Sequence, residues 1–351
     1  GKRISPAGME SGKIGEDILA VDVFLFEGGK CMKKISLLIV VVTLFIGTEE
    51  MMGAEKKSNF PQGTINYIVA FSPGGKTDTQ ARGILPYVEK YIGVRFVIQN
   101  FPGAGGRIGY TKLFKGKPDG YTIGQFSLPS MILGERLASV EYKTTESTPI
   151  FACFVAPQVL VVPADTYQNI DEFIKAGKLK PLSNATPGYG TGSHLAGIVA
   201  ANGLGLKEVR YVHFDSSGPS IAALTGKHVD FSVTNLPSAV PLVRAGRLKA
   251  LLVISEERDG AFPQVPTPKE LGLKITAITS IDGVAGPPNL PFEKVKILEA
   301  AFAKAAADPK FLDWARNAGM DIVPMDHEKL RQATVGMAKE VEKYKDFLLQ
   351  K

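Results

Sequence analysis

The sequence predicts an α/β protein built from two successive βα series. Short apolar runs alternate with stretches whose apolar residues fall at helical spacing. Glycine (37) and proline (23) are frequent, as strand-to-helix loops require. A length of 351 residues, at about 150 residues per domain, suggests two domains. A β-loop-α-β order implies parallel strands joined by right-handed crossovers.

The elements follow in order. Ile65–Phe71 is an apolar strand entering the turn Ser72-Pro-Gly-Gly75. Thr77–Tyr91 places Ala81, Ile84, Leu85 and Val88 on one helical face, with Thr77 or Asp78 able to cap and Pro86 able to kink it. Val94–Gln99 is the next strand, Ile108–Lys115 a helix and Tyr121–Phe126 a third strand. The second series opens with the strand Val159–Val162 and the short helix Asp171–Ala176. Pro181–Ala185 leads through a glycine loop into a helix ending near Ala201. Strands at Val209–Phe214, Val229–Val233 and Leu248–Ile254 alternate with helices at Pro219–Thr225 and Leu236–Ala245. A strand-like Ile275–Ile281 precedes helices near Phe292–Ala307, Pro309–Asn317 and His327–Gln350.

The first fifty residues read differently. Met32-Lys-Lys34 precedes the apolar run Ile35–Ile46 and a polar, small-residue exit to Ala54. A basic start, short apolar core and small exit form a signal peptide, cleaved near Ala54. The run is short for a membrane span, which needs about 20 apolar residues. Such a peptide begins at its own methionine, so 1–31 is expected to be a mis-assigned upstream extension; N-terminal sequencing of the precursor checks this. Removing 1–54 leaves 297 residues with 35 basic and 28 acidic side chains, net +7 against +6 for the whole chain. That surplus favours anionic ligands weakly. No Lys/Arg block points to nucleic acid. Two cysteines exclude a disulfide framework and a Cys-rich zinc site, and Cys153, within Phe151–Val155, reads as a small core residue.

Three glycine loops, each after a strand and before a helix, carry the chemistry, because backbone N–H groups and the positive helix end bind anions there. In Ala70–Asp78, Gly75-Lys76-Thr77 fits a phosphate-binding loop, but Ala70 replaces the leading glycine. An exported chain also lacks the intracellular nucleotide supply. A plain turn and a carboxylate-binding loop are the other readings, and the last is preferred. The loop Asn100–Gly109 has Ile108, and the loop Gly188–His194 has Ser193, where a dinucleotide pattern needs glycine or alanine. Thr191 and Ser193 offer hydroxyl donors to carboxylate oxygens. Nothing sets a nucleophile beside His194 or His213, so no catalytic residue is expected, nor any metal or cofactor. Asp215 either binds a ligand or caps the next helix.

The segments Val69–Asp78, Asn100–Gly106, Pro118–Thr122, Val159–Pro163, Gly190–Ala196 and Asn235–Ala239, in this order, resemble the Bug family. These are extracytoplasmic solute receptors of tripartite tricarboxylate transporters. The resemblance runs from about Phe60 to Lys351. It implies a type II periplasmic-binding-protein fold: two open α/β domains, two crossover segments and a ligand cleft between. Domain 1 would be 55–163 plus 282–351, and domain 2 would be 164–281. It further implies a monomeric periplasmic protein that closes on a small carboxylate (a di- or tricarboxylate or related organic acid) and delivers it to integral-membrane subunits. By carry-over, Phe71, Ser72, Gly74, Gly75, Thr77 and Asp78 would hold one carboxylate, met from the other domain by Thr191, Gly192, Ser193 and His194. Asn100, Ser127, Asp215, Thr234 and Asn235 would lie on the rim. Thr234, Ser216 and Ile281 stand where the family often has Asp, Gly and Trp, which leaves the ligand's identity open. A nucleotide or dinucleotide enzyme and a regulator's sensing domain are the rival classes.

Overall fold

The computed structural model describes residues 59–344; the expected extension 1–31, the expected signal peptide 32–54 and the last residues 345–351 lie outside the described residues. Ile65–Val69 (β1) is almost wholly buried and lies parallel to Phe96–Asn100 (β2) on one side and Thr122–Leu128 (β3) on the other. Lys76–Ile92 (α1) follows β1 and continues through Pro86, burying Ala81, Ile84, Leu85 and Val88. Arg107–Phe114 (α2) follows β2, and Ser130–Leu137 (α3) follows β3.

Thr148–Ala156 (β4) then runs directly into Gln158–Pro163 (β5), which belongs to a different sheet. The second series is Ile170–Leu179 (α4), Leu182–Thr186 (β6), Gly192–Leu204 (α5), Val209–His213 (β7), Ser217–Thr225 (α6), Phe231–Asn235 (β8), Leu236–Arg244 (α7) and Leu248–Ile254 (β9). The chain returns through Ser280–Gly286 (β10), Phe292–Ala306 (α8), Pro309–Asn317 (α9), Asp321–Asp326 (β11) and His327–Glu342 (α10). The two sheets have strand orders β11-β4-β10-β3-β1-β2 and β7-β6-β8-β5-β9.

Two expectations need correction. The sheets are mixed rather than parallel, because β10 runs antiparallel to β3 and β4, and β5 antiparallel to β8 and β9. In a βα unit the carboxyl end of the strand faces the ligand side. A strand arriving from the other lobe enters at that same end and must run the opposite way. Gln158, at the start of β5, accordingly pairs with Asn235 at the end of β8, and Ile281 pairs with Leu128 at the end of β3.

The crossing points also move. Residues 158–163, placed in domain 1, pair within the second sheet, and Ser280 and Ile281, placed in domain 2, pair within the first. The strand expected at Ile275–Ile281 forms at Ser280–Gly286, where Gly283 and Gly286 hide the apolar run.

Each lobe has a core of its own, and a third apolar cluster, with Phe71, Leu128, Leu160 and Phe231, spans the two. Ile65, Val88, Ile123, Phe151, Phe302 and Phe311 fill the first, and Val161, Leu224, Val240 and Val253 the second. Cys153 sits in the first core as a small apolar residue, its thiol pKa pushed up by burial. Among the described residues no helix is long and apolar enough to cross a membrane.

Candidate functional site

The carboxyl ends of β1 and β3 face those of β6 and β8, and the glycine loops meet between them. In the first loop Gly74 has φ +75°, a left-handed conformation that suits glycine. Its N–H donates to Asp78 Oδ2 at 2.9 Å. Asp78 also accepts from Arg82 Nε (2.8 Å) and Asn100 Nδ2 (3.0 Å), and Asn100 donates to the Phe71 carbonyl (2.9 Å). Burial alone would raise the Asp78 pKa; these hydrogen bonds outweigh it and hold the carboxyl below its ordinary value. Asp78 and Asn100, expected as ligand contacts, therefore spend their polar atoms on the shape of the loop.

Gly75 caps α1 without a side-chain hydrogen bond, so the first-turn N–H groups look for acceptors outside the helix. Lys76 N donates to Ser217 Oγ of the opposite lobe at 2.9 Å, and Ser72 N to the Asp215 carbonyl at 3.4 Å. Asp215 itself is exposed and meets the first lobe through its backbone. Close approach is the glycines' second task. A Cβ on Gly75 would lie 2.8 Å from Ser216 Cβ, and one on Gly105 would lie 2.2 Å from the Tyr189 carbonyl oxygen.

The loop of the second lobe caps its helix differently. Thr191 Oγ1 accepts from His194 N, and Gly192 N donates to Ser130 Oγ of the first lobe at 3.1 Å. His194 Nδ1 accepts from Gly190 N at 3.2 Å. Its ring packs against Tyr189, Tyr211 and His213, with centroids 5.2, 5.0 and 4.8 Å away. Burial, then the neighbouring His213, pushes its pKa down to about 3, so it is neutral.

Between the loops lies a narrow cavity that opens to solvent. Six expected residues line it: Phe71, Thr77, Ser127, Thr191, Ser193 and Asn235. Ser72, Gly74, Gly75, Asp78, Asn100, Gly192, His194, Asp215 and Thr234 are not in its wall; most of them shape the loops or join the lobes. Thr234 is buried in β8, and its hydroxyl has no partner.

Sequence reasoning missed Lys76, Ser130, Ser217 and Ser280 in the wall, and Gln158 and Asp282 behind it; Ser216, singled out as a departure from the family pattern, also lines the wall. Lys76 Nζ lies 2.6 Å from Asp282 Oδ2 and donates to Asn235 Oδ1 at 3.2 Å. Asp282 Oδ1 accepts from Ser127 Oγ. Gln158 donates to Asn235 Oδ1 and to Ser280 Oγ, both at 3.1 Å, and accepts from Ser193 Oγ at 2.9 Å. Lys76 was visible as the one cation in its glycine loop. Nothing in the sequence ties Asp282 to it, since 206 positions separate them.

Two lobes crossed twice by the chain, with a polar cavity at the carboxyl ends of their strands, define a solute-binding receptor. Residues 81–349 match the model of the tripartite tricarboxylate transporter family receptor, and the chain belongs to that family. It is 32% identical over 272 residues to a UPF0065 protein of Pseudomonas sp. strain P51, covering 76% of this chain and 81% of that one. It is 32% identical over 241 residues to protein BugT of Bordetella pertussis, covering 67% and 74%. Among solved structures, it superposes on periplasmic binding protein BugD with a TM-score of 0.77 at 26% identity, covering 82% of this chain and 98% of that one. MatC from Rhodopseudomonas palustris with bound malate gives a TM-score of 0.74 at 25% identity, covering 82% and 100%.

Proposed function

We propose that this receptor works in the periplasm, captures a small carboxylate between its lobes and hands it to the membrane subunits of the transporter. The observation that carries the reading is the composition of the cavity. Hydroxyls of Thr77 and Ser130 face those of Ser216 and Ser217 from the other lobe, beside the Lys76 ammonium. Hydroxyls and backbone N–H groups that converge from two lobes satisfy a carboxylate only when the lobes are together. Binding then drives closure, and the closed form is what a membrane partner would recognise. The malate bound to MatC is in keeping with this.

The nucleotide reading loses its main support, because Lys76, the residue that would reach a phosphate in a P-loop, is turned to Asp282. Thermal-shift screening of the purified full-length receptor against short-chain carboxylates tests the proposal. A rise in melting temperature with at least one carboxylate, and none with ATP–magnesium, is expected. A shift with ATP–magnesium and none with any carboxylate reverses it.

A further inference from the structure

We infer that this receptor selects ligands bearing a single carboxylate, and that the Lys76–Asp282 pair sets this preference. The inference rests on the carboxylate reading above and narrows it. Lys76 is the one charged side chain in the cavity wall. Its side chain and that of Asp282 are 7% and 3% exposed, so the 2.6 Å ion pair is shielded from water. A shielded pair of this kind counts as neutral toward anything entering beside it.

Donor counting limits what Lys76 can add. An ammonium has three N–H donors. One goes to Asp282 Oδ2 and one crosses the cleft to Asn235 Oδ1. The third is left for one oxygen of an incoming anion. Asp282 cannot turn away to release more, because its other oxygen is held by Ser127 Oγ, and Gln80 Nε2 approaches Oδ2 at 3.5 Å. A first carboxylate thus finds an ammonium proton and hydroxyls. A second one finds no cation in the wall, because the one ammonium there is already neutralised by Asp282, and it meets the charge of the first carboxylate. Like charges in a site closed to water repel strongly.

The opposite lobe supplies a neutral contact for the rest of the ligand. Ser216 is 1% exposed, lines the cavity, and its hydroxyl has no hydrogen-bond partner. A hydroxyl both donates and accepts, so it suits an amide, hydroxyl or carbonyl, whereas a buried carboxylate would bring a charge that Ser216 cannot balance. The Ser216 side chain also narrows the space opposite Gly75, where a Cβ would come within 2.8 Å of it.

Calorimetry on the purified receptor at neutral pH tests this with matched pairs: each dicarboxylate from succinate to adipate against its own monoamide. The two members of a pair have the same shape and differ in the second charge. At whichever length binds, the monoamide should bind about tenfold tighter or more, and Asp282→Asn should shrink that ratio to within about threefold by leaving the Lys76 charge uncompensated and able to balance the second carboxylate. Replacing the pair by apolar residues, Lys76→Met with Asp282→Leu, keeps the site neutral and should cost the monoamide about tenfold in affinity while the protein still melts cooperatively. A dicarboxylate that binds the wild type as tightly as its monoamide overturns the inference and leaves the carboxylate reading intact. Failure of every member to bind overturns both.

Discussion

The loops Ser72–Asp78 and Gly188–His194 perform the same task in opposite lobes, yet they are built from different chemistry. Each leaves the carboxyl end of a strand, turns on glycine and starts a helix. In the first, charged side chains do the holding: Asp78 gathers Gly74 N, Arg82 and Asn100, and Lys76 reaches Asp282. In the second, neutral groups do it: Thr191 caps the helix and a neutral His194 accepts from Gly190. Charge is therefore concentrated on one wall of the cleft. The first loop is suited to anchor an anion, and the second to complete and cover the site.

The strongest way to break this comparison is to stop the loops meeting. Gly75→Val should lower affinity for any carboxylate by about a hundredfold or more while leaving the melting temperature of the free protein close to wild type. A Cβ there lies 2.8 Å from Ser216 Cβ, so the opposing lobe, rather than the ligand, is what the side chain meets. Two more methyl groups make the closed form unreachable, and closure is where the binding contacts are made. The sharper version is Gly75→Ala, whose loss Ser216→Gly should partly restore. Wild-type affinity by calorimetry in Gly75→Val, or no rescue in the double variant, would show that the loops are not packed this way during binding.

Much of this contrast was legible in the chain, for identifiable reasons. The helical faces of α1 and the glycine turns are local patterns, so Ala81, Ile84, Leu85 and Val88 fall on the buried side as expected. Strand β4 was invisible because TPIFACFVA is buried on both faces and shows no alternation. Helix α3 was missed because Pro129, with no capping side chain, stands at its start. Loop residues divided by role in a way spacing cannot reveal. Ser193 and Thr191 reach the cavity, while Asp78 and Asn100 turn inward to hold the loop. The Lys76–Asp282 pair joins the first βα unit to a strand laid down after the whole second lobe, and only the folded topology brings them together.

Removing the first loop's organising charge tests whether it holds shape or ligand. Asp78→Ala orphans Gly74 N and the Asn100 amide and frees Arg82. Losing a buried acceptor of several hydrogen bonds costs about 2–3 kcal/mol of folding stability by denaturant titration. The sign of its pH dependence follows from the lowered Asp78 pKa. A carboxyl held below its unfolded value contributes stability above the ordinary carboxylate range, and that contribution is lost as pH falls through the folded value. Asp78→Asn should therefore flatten the acid limb of the wild-type curve. A large loss of affinity with unchanged stability would instead place Asp78 on the ligand.

The second loop's neutral histidine yields the smallest effect at neutral pH and a distinct one in acid. His194 is 4% exposed, its pKa is lowered to about 3 by burial and by His213, and its Nδ1 accepts from Gly190 N. Protonation in place would turn that acceptor into a donor facing a donor. In the unfolded chain the imidazole takes a proton near its ordinary value of 6.5, whereas in the folded protein it does not until about 3. The unfolded state thus binds more protons through this window, and stability falls as pH falls. By about pH 5 the loss should be roughly 2 kcal/mol from this group. His194→Gln, which offers an amide oxygen as acceptor and cannot charge, should match wild type within about 1 kcal/mol at neutral pH and lose less stability between neutral and about pH 5. Equal acid sensitivity in the two proteins would mean that His194 charges freely in the fold, and that the second loop is not the neutral wall contrasted with the first.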